Sequence, residues 1–105
     1  MAIRALNESE IAAEWKNVPR WKREGKEIVR RFQLKDFQES LRFVNAVAEA
    51  ADKADHHPDI LIQYSKVTLR LSTHDCDGLS SRDFALASVA DRLAADLSGE
   101  LGGLL

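Results

Sequence analysis

The chain has 105 residues, 45% of them hydrophobic and 30% charged, with a formal net charge of −2. That length suits one domain around one modest core, and the near-neutral balance leaves no strong electrostatic footprint for nucleic acid or an anionic membrane. No apolar run approaches the roughly 18 residues of a membrane span, and a single cysteine, Cys76, excludes an intramolecular disulfide.

Asn7 is placed to cap a first helix, with Glu10 three residues on completing a capping box and Leu6 and Ile11 spaced as a hydrophobic staple. Trp15 continues the Ile11 face, and the helix should end before Pro19. Two strands follow. Trp21 to Glu24 leads through Gly25-Lys26 into Glu27 to Leu34, where Ile28, Phe32 and Leu34 share a face that Arg30 interrupts. This reads as an edge or partly exposed strand. The surrounding RWKREGKEIVRR is locally basic, but it alternates like a solvated sheet face and carries two glutamates.

Asp36 caps the longest helix, expected to run to about Ala54, with Phe37, Leu41, Val44, Ala48 and Ala51 as its apolar stripe, widened by Phe43 and Val47. Ile60 to Tyr64 and Val67 to Thr73 alternate as strands. Ser80 caps the last helix, with Asp83 at its third position and Leu79 and Phe84 at staple spacing. The tail SGELGGLL, about residues 98–105, carries three glycines and should fray. The order α-β-β-α-β-β-α predicts an α+β two-layer sandwich, a four-stranded antiparallel sheet with helices on one face, as one domain over 1–105.

The three histidines fall in DHHPD and STHDCDG, beside acids in both. With Ser65-Lys66 as a two-residue hairpin loop, Tyr64 pairs with Val67, Ile62 with Leu69 and Ile60 with Leu71. Carried outward, that register sets His57 opposite His74, with Cβ atoms about 4.5–5.5 Å apart if pairing persists. His56 joins the same rim, with Asp52 one helical turn before it and Asp55 adjacent. Asp75 and Asp77 lie beside His74. Carboxylates beside imidazoles favour the charged ring and orient it, burial opposes the charge, and the balance can produce an acid or base near neutrality. The plainest alternative is three surface histidines in polar loops. Three imidazoles and a carboxylate could also bind zinc, although adjacent histidines diverge and there is no H-E-x-x-H helix or CxxC pair. Cys76 stands near His74, but no nucleophile motif surrounds it, and it reads as a small hydrophobic thiol rather than a nucleophile.

The segment DHHPDILIQYSKVTLRLSTHDCDGLSSRDFALA resembles the pterin-4a-carbinolamine dehydratases. The likeness is carried by H-H-P at His56-His57-Pro58, Y-x-K-V from Tyr64, T-H-D-x-x-G-L from Thr73 and R-D-F-x-L-A from Arg82. Trp21, RRFQLKDF and FVNAVAEAADKA extend it upstream, over nearly the whole chain beyond the first helix. Two positions depart: Asp52 stands where Glu is common, and Ser65 replaces a usual Asn in the hairpin turn.

The resemblance implies a subunit of a homodimer or homotetramer with a metal-free site that needs no cofactor. It implies elimination of water from 4a-hydroxytetrahydropterin (4a-hydroxytetrahydrobiopterin) to give the quinonoid dihydropterin, in support of tetrahydrobiopterin recycling. His56 and His74 would move protons and His57 would chiefly bind and orient the pterin. Asp52, Asp55, Pro58, Thr73, Asp75 and Cys76 would line its pocket. Trp21 would close one side or serve a core or interface, and Arg82 and Asp83 would support the site, Asp83 chiefly as a helix cap. Some members of the family also act as transcriptional coactivators through helix faces, and another pterin, including a molybdopterin-related one, could use the same rim. The single thiol and the absence of an apolar signal region in MAIRALNESE fit a cytoplasmic protein.

Overall fold

The structure, a computed structural model, describes residues 3–98. The tail expected to fray lies beyond Ser98, outside the described residues.

Helix α1 (Glu8–Glu14) begins with a reciprocal box. Asn7 Oδ1 accepts from the Glu10 N–H at 2.8 Å, and the Glu10 carboxylate accepts from the Asn7 N–H at 2.9 Å. Two otherwise unpaired donors of the first turn are satisfied this way. Strands β1 (Lys22–Glu24) and β2 (Glu27–Gln33) are joined through Gly25, whose φ of 62° suits a residue without a Cβ. Helix α2 (Phe37–Ala54) starts at Asp36, whose side chain accepts from the Glu39 N–H. Strands β3 (Asp59–Gln63) and β4 (Lys66–Leu71) form the second hairpin, a 3-10 turn covers His74–Cys76, and helix α3 (Ser81–Ser98) closes the described chain.

The sheet is antiparallel with order β1-β2-β4-β3. Val67, Leu69 and Leu71 of β4 are buried and alternate with more exposed residues, as a one-sided sheet requires, whereas β2 buries Ile28, Val29 and Arg30 in a row before Phe32. Phe43, Val47 and Ala51 of α2 and Phe84, Ala87, Ala90 and Ala94 of α3 belong to the same core. The Phe32 and Phe43 rings lie 4.7 Å apart, and neither side chain is exposed to solvent. Burial of each contributes about 2–3 kcal/mol. Leu79 and Phe84 are both buried, and Trp15 packs edge-on against Phe84 at 5.5 Å, which ties α1 to the start of α3.

Three expectations need correction. First, β2 is an inner strand between β1 and β4, and Arg30 is only 7% exposed. Its guanidinium lies 4.1 Å above the Phe32 ring and donates to Asp91 of α3 at 2.6 Å, so a charged residue occupies a core-facing position with its counterion supplied from the helix layer. Second, the buried face of α2 is Glu39, Ser40, Phe43, Val47 and Ala51. Phe37 is 42% exposed, Ala48 is exposed, and Leu41 and Val44 are half-buried.

Third, the hairpin loop is Tyr64-Ser65, one residue earlier than expected. Gln63 pairs with Lys66, Ile62 with Val67 and Ile60 with Leu69. Tyr64 takes a left-handed φ of 54° to make the turn. Ser65 is fastened to the end of β2, its carbonyl accepting from the Leu34 N–H at 2.7 Å and its hydroxyl from the Gln33 amide at 2.9 Å. The partners have moved by two residues, so apolar still meets apolar. The projected opposition of His57 and His74 is lost, because the same register carried outward points His57 toward Ser72.

Candidate active site

The histidine pair is divided by the way α2 ends. Asp55 adopts a left-handed conformation, φ 51°. Its N–H bonds the Asp52 carbonyl at 3.2 Å, and the His56 N–H reaches back to the Ala51 carbonyl at 3.1 Å. This Schellman closure reverses the chain within one residue. His56 is turned into the protein at 8% exposure, while His57 stays outside.

Each imidazole has a different setting. His57 Nε2 lies 2.9 Å from Asp52 Oδ1 in an exposed pair. His56 Nε2 lies 2.6 Å from Oδ1 of Asp83, which is completely buried. His74 is exposed at the start of the 3-10 turn, with no hydrogen-bond partner for its ring among the described residues. That turn is held at its base, where Thr73 and Gly78 exchange backbone bonds at 2.9 and 3.3 Å. Asp77 meets Lys26 of the β1–β2 turn at 2.6 Å. The Lys26 hydrogen bond and charge hold the Asp77 carboxyl below its ordinary range, and His74 adds a smaller contribution in the same direction.

Asp83 joins these parts. It stands at the third residue of α3, where the N-terminal amides favour a carboxylate. Its Oδ2 accepts from the Ser80 N–H at 2.9 Å and from the Thr73 hydroxyl at 2.8 Å. The Thr73 and Ser80 hydroxyls lie 2.7 Å apart, and Ser80 Oγ also accepts from the Arg82 N–H at 3.2 Å. Thr73 immediately precedes His74. A network through Asp83 therefore connects the end of α2, the start of α3 and the His74 turn. Asp83 caps its helix with one oxygen and takes His56 with the other. Ser80 was expected only as a cap, and its hydroxyl belongs to the network. The S-x-x-D spacing marks the cap, but no sequence signal announces that the second carboxylate oxygen faces a histidine 27 residues away.

Among the other expected residues, Asp55 supplies the chain reversal, Pro58 is half-buried and Asp75 is exposed. The Cys76 thiol is half-buried against the Thr73 and Gly78 carbonyls at 3.6 and 3.8 Å. Arg82 contributes its backbone N–H, with its side chain exposed. Trp21 is not brought among the histidines. It is 3% exposed, packs edge-on against Phe32, and donates its indole N–H to Asp91 at 2.8 Å. Asp91 lies eight residues beyond Asp83 on α3, about 12 Å of helical rise. A concavity of about 430 Å³ lies on the sheet face opposite the helices, between Arg20, Lys22, Arg31 and Thr68, and no histidine lines it. Among the described residues no group of three or more His, Cys, Asp or Glu side chains is placed to hold a metal ion, and no helix is long and apolar enough to cross a membrane.

The fold is a two-layer α+β domain whose buried His56–Asp83 pair is tied through Thr73 to the turn that carries His74. Comparison with known proteins places it more closely. The profile of the family described as pterin 4 alpha carbinolamine dehydratase matches residues 4–93. A Picosynechococcus protein named provisionally as a pterin-4-alpha-carbinolamine dehydratase is 48% identical over 89% of this chain and 100% of its own length. A similarly named Thermomicrobium roseum protein is 44% identical over 86% and 97%. A solved structure from Brucella melitensis, described as a transcriptional coactivator/pterin dehydratase, superposes with a TM-score of 0.84 at 30% identity over 87% of this chain and 99% of that one. A pterin dehydratase-like protein described as a RuBisCO assembly factor shares the fold, with a TM-score of 0.60 at 22% identity over 71% and 87%. The chain belongs to the pterin-4a-carbinolamine dehydratase family, a family of hydro-lyases.

Proposed function

We propose that this chain dehydrates 4a-hydroxytetrahydropterin to quinonoid dihydropterin and so serves tetrahydrobiopterin recycling. The observation that carries the reading is the buried His56–Asp83 pair, tied through Thr73 to the turn that presents His74. The elimination breaks the C4a–O bond and releases the N5 proton as the C4a=N5 bond forms. The departing hydroxyl needs a proton and N5 needs an acceptor, so one imidazole on each side of the pterin completes the chemistry without exchange of electrons. His56 and His74 fill these positions. His57, oriented by Asp52, binds the pterin, with Asp55, Pro58, Asp75 and Cys76 around it. No metal or redox cofactor enters this scheme.

The test is stopped-flow dehydration of freshly generated 4a-hydroxytetrahydropterin. Catalysis should be clear and should survive a chelator. A rate no faster than the uncatalysed one would overturn the assignment, and loss of activity to chelation would replace it with a metal mechanism.

A homo-oligomeric state is part of the same proposal. Phe37, Leu41, Val44 and Ala48 follow one another at helical spacing on α2 and remain exposed or half-buried, a stripe that a second copy can cover. The Brucella structure's description as a coactivator makes a different protein the competing occupant. Light scattering should give a multiple of the monomer mass, and Leu41→Glu should shift it toward the monomer. A monomeric wild-type protein at micromolar concentration would remove the second copy and favour a heterologous partner.

A further inference from the structure

The direction of every hydrogen bond around Asp83 can be worked out. The Arg82 backbone N–H can only donate, so Ser80 Oγ is an acceptor there. If Ser80 uses its own proton toward Thr73, the Thr73 hydroxyl is left free to donate to Asp83 Oδ2. The Ser80 N–H donates to that same oxygen. Oδ2 thus receives two donors and has no room for a proton of its own. A proton shared between Oδ1 and His56 Nε2 belongs on the ring, because imidazole is intrinsically more basic than carboxylate by about 2–3 pK units. The other ring nitrogen of His56 has no hydrogen-bond partner among the described residues. Among the described residues no fully buried side-chain nitrogen or oxygen lacks a partner, so His56 Nδ1 is not sealed from solvent.

We infer that Asp83 is a positioning residue that locks the neutral His56 ring with its proton on Nε2, leaving Nδ1 as the base. His56 then takes the N5 proton at Nδ1, and the hydroxyl leaving C4a is protonated from the other side by His74, whose ring is free to turn. The two protons and the C4a–O bond balance: N5 gives one to His56, His74 gives one to the departing oxygen, and water carries the latter away. The division between base and acid rests on the dehydratase reading. The lock on the ring does not, because it follows from the donors on Oδ2 and from imidazole being more basic than carboxylate.

Asp83→Asn tests it. The Thr73 hydroxyl and Ser80 N–H still require a carbonyl oxygen, so the new amide NH₂ must face His56 Nε2 and donate to it. That forces the ring proton to Nδ1 and blocks the base, the same inversion that disables catalytic imidazoles elsewhere when their buried aspartate becomes asparagine. Long-range ¹H–¹⁵N correlation on the three-histidine chain, at a pH where the ring is neutral, should show Nε2–H for His56 in the wild type and Nδ1–H in the variant. The value of kcat should fall at least about 100-fold with KM changed far less. A wild-type spectrum with Nδ1 protonated would overturn the lock even if the variant does not fold. So would a folded variant that keeps Nε2–H and turns over within about twofold of wild type. A wild-type protein with Nε2–H but no turnover would sink the dehydratase reading while supporting the lock.

Discussion

Replacing His74 with alanine should lower kcat for dehydration by about 10²–10⁴-fold and leave the unfolding free energy within about 0.5 kcal/mol of wild type. The two halves of that expectation come from the same fact. His74 is exposed and has no hydrogen-bond partner for its ring among the described residues, so nothing in the fold depends on it. His56→Ala should behave differently. It removes the ring that Asp83 Oδ1 faces and leaves a fully buried carboxylate with donors on one oxygen only. Loss of a partner to a buried charge costs about 3–5 kcal/mol, so His56→Ala should lose both activity and stability. His57→Ala, at an exposed pair, should act chiefly on KM. Stopped-flow turnover alongside urea unfolding of the three variants separates these cases. Full activity in His74→Ala would remove the proposed acid, and an unchanged stability for His56→Ala would mean that Asp83 does not need the ring.

Asp91→Ala should destabilise the protein by about 3 kcal/mol with little direct effect on chemistry. Asp91 accepts from the Trp21 indole at 2.8 Å and from Arg30 at 2.6 Å, and it holds these groups where α3 meets β1 and β2. Burial lowers the Arg30 pKa below its ordinary value, and the charge and hydrogen bond of Asp91 oppose that shift. The carboxylate therefore acts mainly by making a buried cation tolerable. Its removal takes the acceptor from the Trp21 indole and the counterion from Arg30, whereas replacing Arg30 with Met together with Asp91→Leu should recover much of the loss, because a packed apolar pair needs no counterion. Urea midpoints of the single and double variants measure this. A single variant within about 1 kcal/mol of wild type would show that the network is not what holds this end of the sheet.

The helix starts could be read from sequence because their signals are local. Asn7 with Glu10, Asp36 with Glu39 and Ser80 with Asp83 each place cap and partner three residues apart, and all three appear in the structure. The features that were misread depend on distant partners. Arg30 looks like an interruption of its strand until Asp91, 61 residues later, is brought over it. The hairpin register could not be read because Tyr64 has no intrinsic preference for positive φ. The turn is chosen instead by what Ser65 meets at the end of β2. The histidines were expected to converge by cross-strand pairing. The link between His56 and the His74 turn runs instead through Asp83 and Thr73, while His57 pairs with Asp52, and the cap spacing of Asp83 disclosed only one of its two oxygens' partners.

The reversal that ends α2 also indexes the site to the helix. The bond that terminates the last turn is made by the His56 peptide itself, so the imidazole inherits its bearing from the screw of α2. One residue added to or taken from that helix would swing the ring by about 100°, away from Asp83 and into solvent or the core. The length of the helix from Asp36 to Asp55 therefore sets the bearing of the ring as much as the side chains around it do.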